Sequence, residues 1–225
     1  MIQRDFLNFL RTPEEMEFTG KFDIPKLKGI KIKDAEKFKP ELVEFHLANR
    51  VKQSERKDKF VHFFLDDYLF ERTWSRPEEN SKFLSSFKGV LSPDFSQYTN
   101  MPEALCIYNH YRKMWVSAYW QLQGLRVIPV AGWGDEKSFE YCFDGMPKNS
   151  LIAVSSVGCQ RFSKEFQCGY EAMLECLTPS TVLWYGKTFD WLNTDNVICV
   201  TSAYEDRFRA VHEKQEKAER EQNGS

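Results

Sequence analysis

Phe60-Val61-His62-Phe63-Phe64-Leu65-Asp66-Asp67 decides the fold. Six apolar or aromatic-rich positions in a row, with no polar alternation, leave neither face of a strand suited to water. The run therefore reads as a strand buried on both faces, the mark of a parallel sheet covered by helices, and it ends at two carboxylates. The event recurs down the chain. Gly89-Val90-Leu91-Ser92 runs into Pro93-Asp94, and Arg126-Val127-Ile128-Pro129-Val130 into Gly132-Trp133-Gly134-Asp135. Leu151-Ile152-Ala153-Val154 runs into Ser155-Ser156-Val157-Gly158-Cys159, Thr181-Val182-Leu183-Trp184 into Tyr185-Gly186-Lys187, and Val197-Ile198-Cys199-Val200 into Thr201-Ser202.

Strand starts at 60, 89, 126, 151, 181 and 197 leave room for a crossover helix in every interval but the last, as parallel pairing requires. Helix signals fill the gaps. Ser75 with Pro77 and Glu78 opens one helix, Pro102-Glu103 a longer one to about Trp120, Gly134 or Asp135 one through Cys142, and Ser163 one ended by Thr178-Pro179. The class is α/β, a mostly parallel sheet of six or seven βα units. A small or incomplete (β/α) barrel, TIM-barrel-like, is favoured over an open doubly wound sheet. All the strand ends carry candidate site residues, whereas an open sheet places its site near one switch point.

Around residues 60–203, the α/β core, lie two charged flanks. Residues 1–59 form a basic arm packed on the core. It begins with an amphipathic stretch (Phe6, Leu7, Phe9, Leu10) and includes a lead-in strand at Gly29–Lys33. Its residues 21–59 carry twelve Lys and Arg against seven Asp and Glu. Residues 204–225 read as a charged helix and tail. The arm's charge is that of a solvated face or of an anion-binding patch. The whole chain has a net charge of −2, which argues against coating nucleic acid by bulk electrostatics. Six cysteines without zinc spacing read as small buried hydrophobes of a reducing compartment. No apolar run is long enough to span a bilayer and Met1-Ile2-Gln3-Arg4-Asp5 opens no signal peptide, so the expectation is a cytoplasmic protein with no membrane partner.

Strand ends supply the candidate chemistry. Asp66 or Asp67 reads as general base, nucleophile or Mg²⁺ ligand, or else as turn acceptor and surface residue. Asp94, presented by Pro93, joins Asp66 and Asp135 in a three-carboxylate set suited to Mg²⁺ or to acid/base work. Trp133 is either a ring-stacking surface or a hydrophobic plug, Asp135 a helix N-cap, and Ser155 and Ser156 line the same rim. Cys159 is a thiol at a helix start or a structural one. Tyr108, Tyr111, Trp115 and Tyr119 share one helical face, as core or as a platform for bases. His62 reads as a core residue, His110 lies on the aromatic helix, and His46 and His212 read as exposed.

The segments from His62 to Trp74, Gly89 to Ser96, Val127 to Asp135, Ser138 to Pro147 and Ala153 to Cys159, in that order, resemble a family of phage and Gram-positive mobile-element proteins. It is catalogued as a domain of unknown function (number 4417), and the resemblance covers about residues 20–190. It implies a phage or mobile-element setting, hence a host-cell cytoplasm, and supplies no activity. Asp66-Asp67, Gly132-Trp133 and Val154 to Cys159 also resemble strand-end motifs of the queuine-type tRNA and deazaguanine DNA transglycosylases, which are (β/α) barrels; their zinc-ligand cysteine cluster is absent and the chain is short. Three functions are expected from the whole. One is an enzyme acting on a nucleotide or nucleic-acid base with Asp66, Asp94 and Trp133. The second is a non-enzymatic protein that binds a host or phage replication or defence factor. The third is DNA binding through the arm.

Overall fold

The computed structural model describes residues 11–32 and 38–201; the amphipathic stretch at 6–10, His212 and the C-terminal helix at 204–225 fall outside them. A short antiparallel pair, β1 (Phe18–Thr19) and β2 (Ile24–Pro25), precedes the sheet. Then come β3 (Glu41–Glu44), β4 (Lys59–His62), α1 (Arg72–Ser75), α2 (Pro77–Leu84), β5 (Gly89–Leu91), α3 (Glu103–Leu122) and β6 (Val127–Ile128). The chain continues with β7 (Leu151–Ser155), α4 (Ser163–Leu177), β8 (Thr181–Tyr185) and β9 (Val197–Val200).

The architecture is mixed α/β with two parallel sheets, β3-β4-β5-β6 and β7-β8-β9, each in chain order. A parallel bridge between Val130 and Ala153 spans the two. There the Ala131 amide donates to the Ala153 carbonyl at 2.9 Å, and the Ala153 amide to that of Pro129 at 2.8 Å. Side-chain alternation divides the core. Leu42, Phe60, Leu91, Ile128, Leu151, Leu183 and Ile198, one from each strand, belong to one apolar cluster. Their neighbours Val61, Val90, Val127, Ile152 and Val182 belong to a second cluster shared with the helices. Among the described residues β3 and β9 do not pair with each other. Residues 38–40 and 197–201 instead line one cleft of about 530 Å³.

The expected lead-in strand is not where the sequence suggested. Gly29–Ile32 forms no strand, and β3 supplies the edge instead, so the arm itself contributes to the sheet. The Ile30 carbonyl accepts from the Leu151 amide at 2.9 Å, and Ile30, Ile32 and Phe38 pack on the strand-to-strand cluster. Since Leu151 begins β7, Ile30 lies at the N-terminal end of that strand. The segment after Asp135 is a short 3-10 helix (Glu136–Glu140) rather than a longer helix through Cys142. The helix after Ser75 begins at Pro77, with Arg76 at its N-cap. Ser163–Leu177 forms as expected and ends on Thr178 in the left-handed region (φ 44°). Trp115 and Tyr119 of the aromatic face stack at 5.3 Å in the core, while Tyr108 and Tyr111 edge onto Trp74.

Candidate functional site at the strand C-terminal rim

Helix α3 builds the site, because its buried face is not uniformly apolar. Asn109, His110, Arg112, Lys113 and Ser117 are all buried on it. Arg112 is a latch between loops. Its guanidinium lies 3.7 Å from the centre of the Phe95 ring, its Nη1 donates to both Glu71 oxygens at 2.7 and 2.8 Å, and its Nε donates to Asn109 Oδ1 at 3.0 Å. Asn109 in turn donates to the Ser96 carbonyl at 2.6 Å. The Asp67 carboxylate accepts from the Ser96 amide at 3.2 Å and the Ser96 hydroxyl at 2.8 Å, with Arg112 Nη2 at 3.7 Å. Asp67 is therefore a structural carboxylate that ties the loop after β4 to the loop after β5.

The next residue of the helix, Lys113, is wholly buried and its Nζ has no hydrogen-bond partner. Asp94 faces it from the loop after β5. A Cβ built on Gly132 would lie 3.3 Å from Asp94 Oδ1 and 3.6 Å from Lys113 Nζ, so both groups converge over that glycine. The residue keeps some exposure, but burial of its carboxyl lifts the pKa to about 6; Lys113 pulls it down and Asp67 pushes it further up. Burial lowers the Lys113 pKa, against the pull of Asp94. Of the six buried side-chain polar atoms without partners among the described residues, three belong here: Ser92 Oγ, Gln97 Oε1 and Lys113 Nζ. Gln97 also donates to the Gly132 carbonyl at 3.4 Å. A carboxyl that ionises near neutrality beside a buried amine can carry a proton either way.

The other predicted site residues are placed differently. Asp66 is exposed and is not among the charges that act on Asp94. Asp135 is exposed at the N-cap of the 3-10 helix, where its carbonyl rather than its carboxylate accepts from Ser138. Thus Asp66, Asp94 and Asp135 do not assemble, and among the described residues no three His, Cys, Asp or Glu side chains are grouped to hold a metal ion. Trp133 packs its ring on Phe166 at 5.0 Å and into the space left by Gly169, whose missing Cβ is what admits Nε1. The ring is half-buried against the core by this packing. Ser155 Oγ accepts from the Val157 amide at 3.2 Å, and the buried Ser156 donates to the Lys187 carbonyl at 2.7 Å, so both serines shape the turn after β7. Burial pushes the Cys159 thiol up to about 11, the opposite of an activated helix-start thiolate. Of the six cysteines, Cys106 and Cys142 are buried whereas Cys176 and Cys199 are exposed, so not all behave as core hydrophobes.

His62 is buried, with Nδ1 accepting from the Phe64 amide at 3.3 Å and its ring 4.6 Å from that of Tyr185. His110 is also buried, and His46 sits 3.5 Å from Glu44. Lys113 was missed from sequence. The signal was present as the spacing of His110, Lys113 and Ser117 with Cys106 and Trp120, a polar stripe on the face that the aromatic residues require to be buried. The rim also exposes large rings from three loops: Tyr68 at 77%, Tyr98 at 60% and Phe162 at 58%.

Among the described residues no helix is long and apolar enough to cross a membrane. No solved structure matches the chain. It is 42% identical over 130 residues to the "Gene 1 protein" of Mycobacterium phage L5, covering 56% of this chain and 57% of that protein. It is 40% identical over 130 residues to the "Gene 1 protein" of Mycobacterium phage D29, covering 56% and 48%. The chain thus spans about half the length of these curated relatives. The family model for a domain of unknown function, DUF4417, matches residues 16–204, and the chain belongs to that family.

Proposed function

We propose that this chain is a phage or mobile-element enzyme of incomplete-barrel architecture, acting on a nucleotide or nucleic-acid base at the C-terminal rim of its strands. This reading of the architecture is supported by seven parallel strands in chain order sharing one interior cluster, with the residues just before β3 and strand β9 lining one cleft. The observation that carries the function is the Asp94 carboxyl, ionising near neutrality and facing a buried, unpartnered Lys113 over Gly132. Asp94 acts as the general acid or base, and Tyr68, Tyr98 and Phe162 offer ring faces to a base. The test incubates the purified protein with nucleotides, DNA and RNA and follows products by mass spectrometry. Wild type forms a product, and Asp94→Asn, folded by circular dichroism, forms it at least ~100-fold more slowly. An undiminished rate in Asp94→Asn overturns the reading.

A second reading rests on the same exposed rings, which equally suit a host or phage protein of the replication or defence machinery. Stoichiometric capture of one such protein, lost when Tyr68, Tyr98 and Phe162 become serine, favours it.

A further inference from the structure

Residues 38–40, just before β3, and strand β9 line a cleft of about 530 Å³, and the interior cluster is incomplete along it. The cluster members Phe60, Leu91, Ile128, Leu151 and Leu183 on β4 to β8 are fully buried. Leu42 of β3 and Ile198 and Val200 of β9 are only half-buried. The backbone is unmet as well. The Val182 and Gly186 amides donate to the Asn196 and Val200 carbonyls at 3.0 and 2.9 Å, so alternate residues of β9 bond towards β8. The amide and carbonyl of Cys199 therefore point the other way, and among the described residues no backbone group pairs with them. Extended from strand to strand, the register puts Val197 level with Val182, Ile152, Pro129, Ser92, Phe63 and Phe45. Across the cleft, β9 faces residues 38–40 instead. One circuit of the sheet thus advances by roughly eight residues, the stagger of an eight-stranded barrel, and seven parallel strands leave one place in it open.

We propose that this cleft is the docking site of an extended, acidic-tipped segment of a partner protein, which adds as a strand between β9 and the residues before β3. The inference rests on the incomplete-barrel architecture above and adds a partner to it. Backbone pairing with Cys199 supplies the attraction common to strand addition, and side chains choose the sequence. Every second residue of the segment turns inward to Phe38, Ile198 and Val200 and is apolar. Lys39 is the one charged residue lining the cleft, so the segment carries a carboxylate to meet it. A small apolar ligand would fill the space and leave the Cys199 amide and carbonyl unpaired; a strand meets both needs.

The test uses the full chain and a short labelled synthetic peptide that alternates valine and serine and ends in glutamate. In free wild type the Cys199 amide exchanges its hydrogen readily, and the peptide slows that exchange at least tenfold. By fluorescence anisotropy the peptide binds at least tenfold more tightly than its scrambled form or a form ending in amidated lysine. Cys199→Pro removes the amide at an outward-facing edge position that tolerates proline, and it lowers peptide affinity at least tenfold. Lys39→Glu reverses the preference between the glutamate and lysine peptides, and it decides alone should Cys199→Pro prove unable to fold. No binding by wild type, equal binding of the scrambled peptide, or unchanged binding in the variants overturns the inference. So does a Cys199 amide already protected in the free protein, which would mean that a second copy or the chain itself fills the cleft. These outcomes are separable from failure of the enzyme reading, which is read from product formation by Asp94→Asn.

Discussion

At the residue scale, Asp94, His110 and His62 are among the groups that burial holds away from their ordinary behaviour, and each leaves a mark on the pH dependence of stability below pH 7. The folded-state pKa of Asp94, about 6, lies above its usual 3.8, so ionising it works against the fold as the pH rises from about 4 to 6. Asp94→Asn should therefore be more stable than wild type at pH 7 by about 1–2 kcal/mol, trimmed from the full shift by the residue's partial exposure, with the difference gone at pH 4. Urea denaturation at the two pH values measures it, and a variant less stable at pH 7 contradicts the assignment. His110 runs the other way. Burial, helped by the nearby Lys113 charge, holds its pKa at about 3 against a usual 6.5, so its contribution is complete above pH 6.5 and lost as the pH falls towards 3. Burial depresses His62 in the same sense. His110→Gln should show a shallower loss of stability between pH 6.5 and 4, by up to about 1.4 kcal/mol per pH unit.

At the element scale, α3 is a structural helix whose first half also organises the rim. Arg112 reaches Glu71, Asp67 and Asn109 while lying on the Phe95 ring, so it joins the loops after β4 and β5 to one helical face. Arg112→Met should cost about 1–3 kcal/mol in urea denaturation, because it removes the hydrogen bond to the buried Asn109 and the cation beside the part-buried Asp67. A loss below about 0.5 kcal/mol would show that the latch is ornamental. Gly169→Ala tests the seat of Trp133 on α4. The added methyl meets the indole nitrogen, and the cost should be about 1–3 kcal/mol, seen as a lower urea midpoint. These couplings explain what the sequence could and could not reveal. Two-sided apolar runs such as Phe60–Leu65 fix parallel strands through local composition, and Pro102-Glu103 and Ser163 fix helices through local start signals. Which carboxylate turns inward is not local. Asp66 and Asp67 are adjacent and chemically alike, and only Ser96 and Arg112, 29 and 45 positions on in the chain, draw Asp67 in and leave Asp66 exposed.

At the scale of the whole molecule, the two ends of the sheet are treated differently. Ile30, Ile32 and Phe38 of the arm pack apolar side chains on the strand cluster, with Ile30 at the first residue of β7. The C-terminal rim instead presents Asp94, partnerless buried polar atoms and the exposed rings of Tyr68, Tyr98 and Phe162. Parallel pairing was legible, since nearly every interval between strand starts suits a βα unit, but the order of the strands was not. Nor was the edge at β3, because Glu41–Glu44 carries only Leu42 and Val43 as apolar residues and sits in a segment dominated by charge. The proposed function puts ligand binding at the C-terminal rim, and amide chemical-shift mapping tests that proposal directly. On titration with a mixture of nucleotides, shifts should concentrate at residues 67–70, 94–98, 132–135 and 155–162. Shifts concentrated instead at residues 29–32, 57–59 and 149–151, or absent throughout, would contradict a working site at the C-terminal rim.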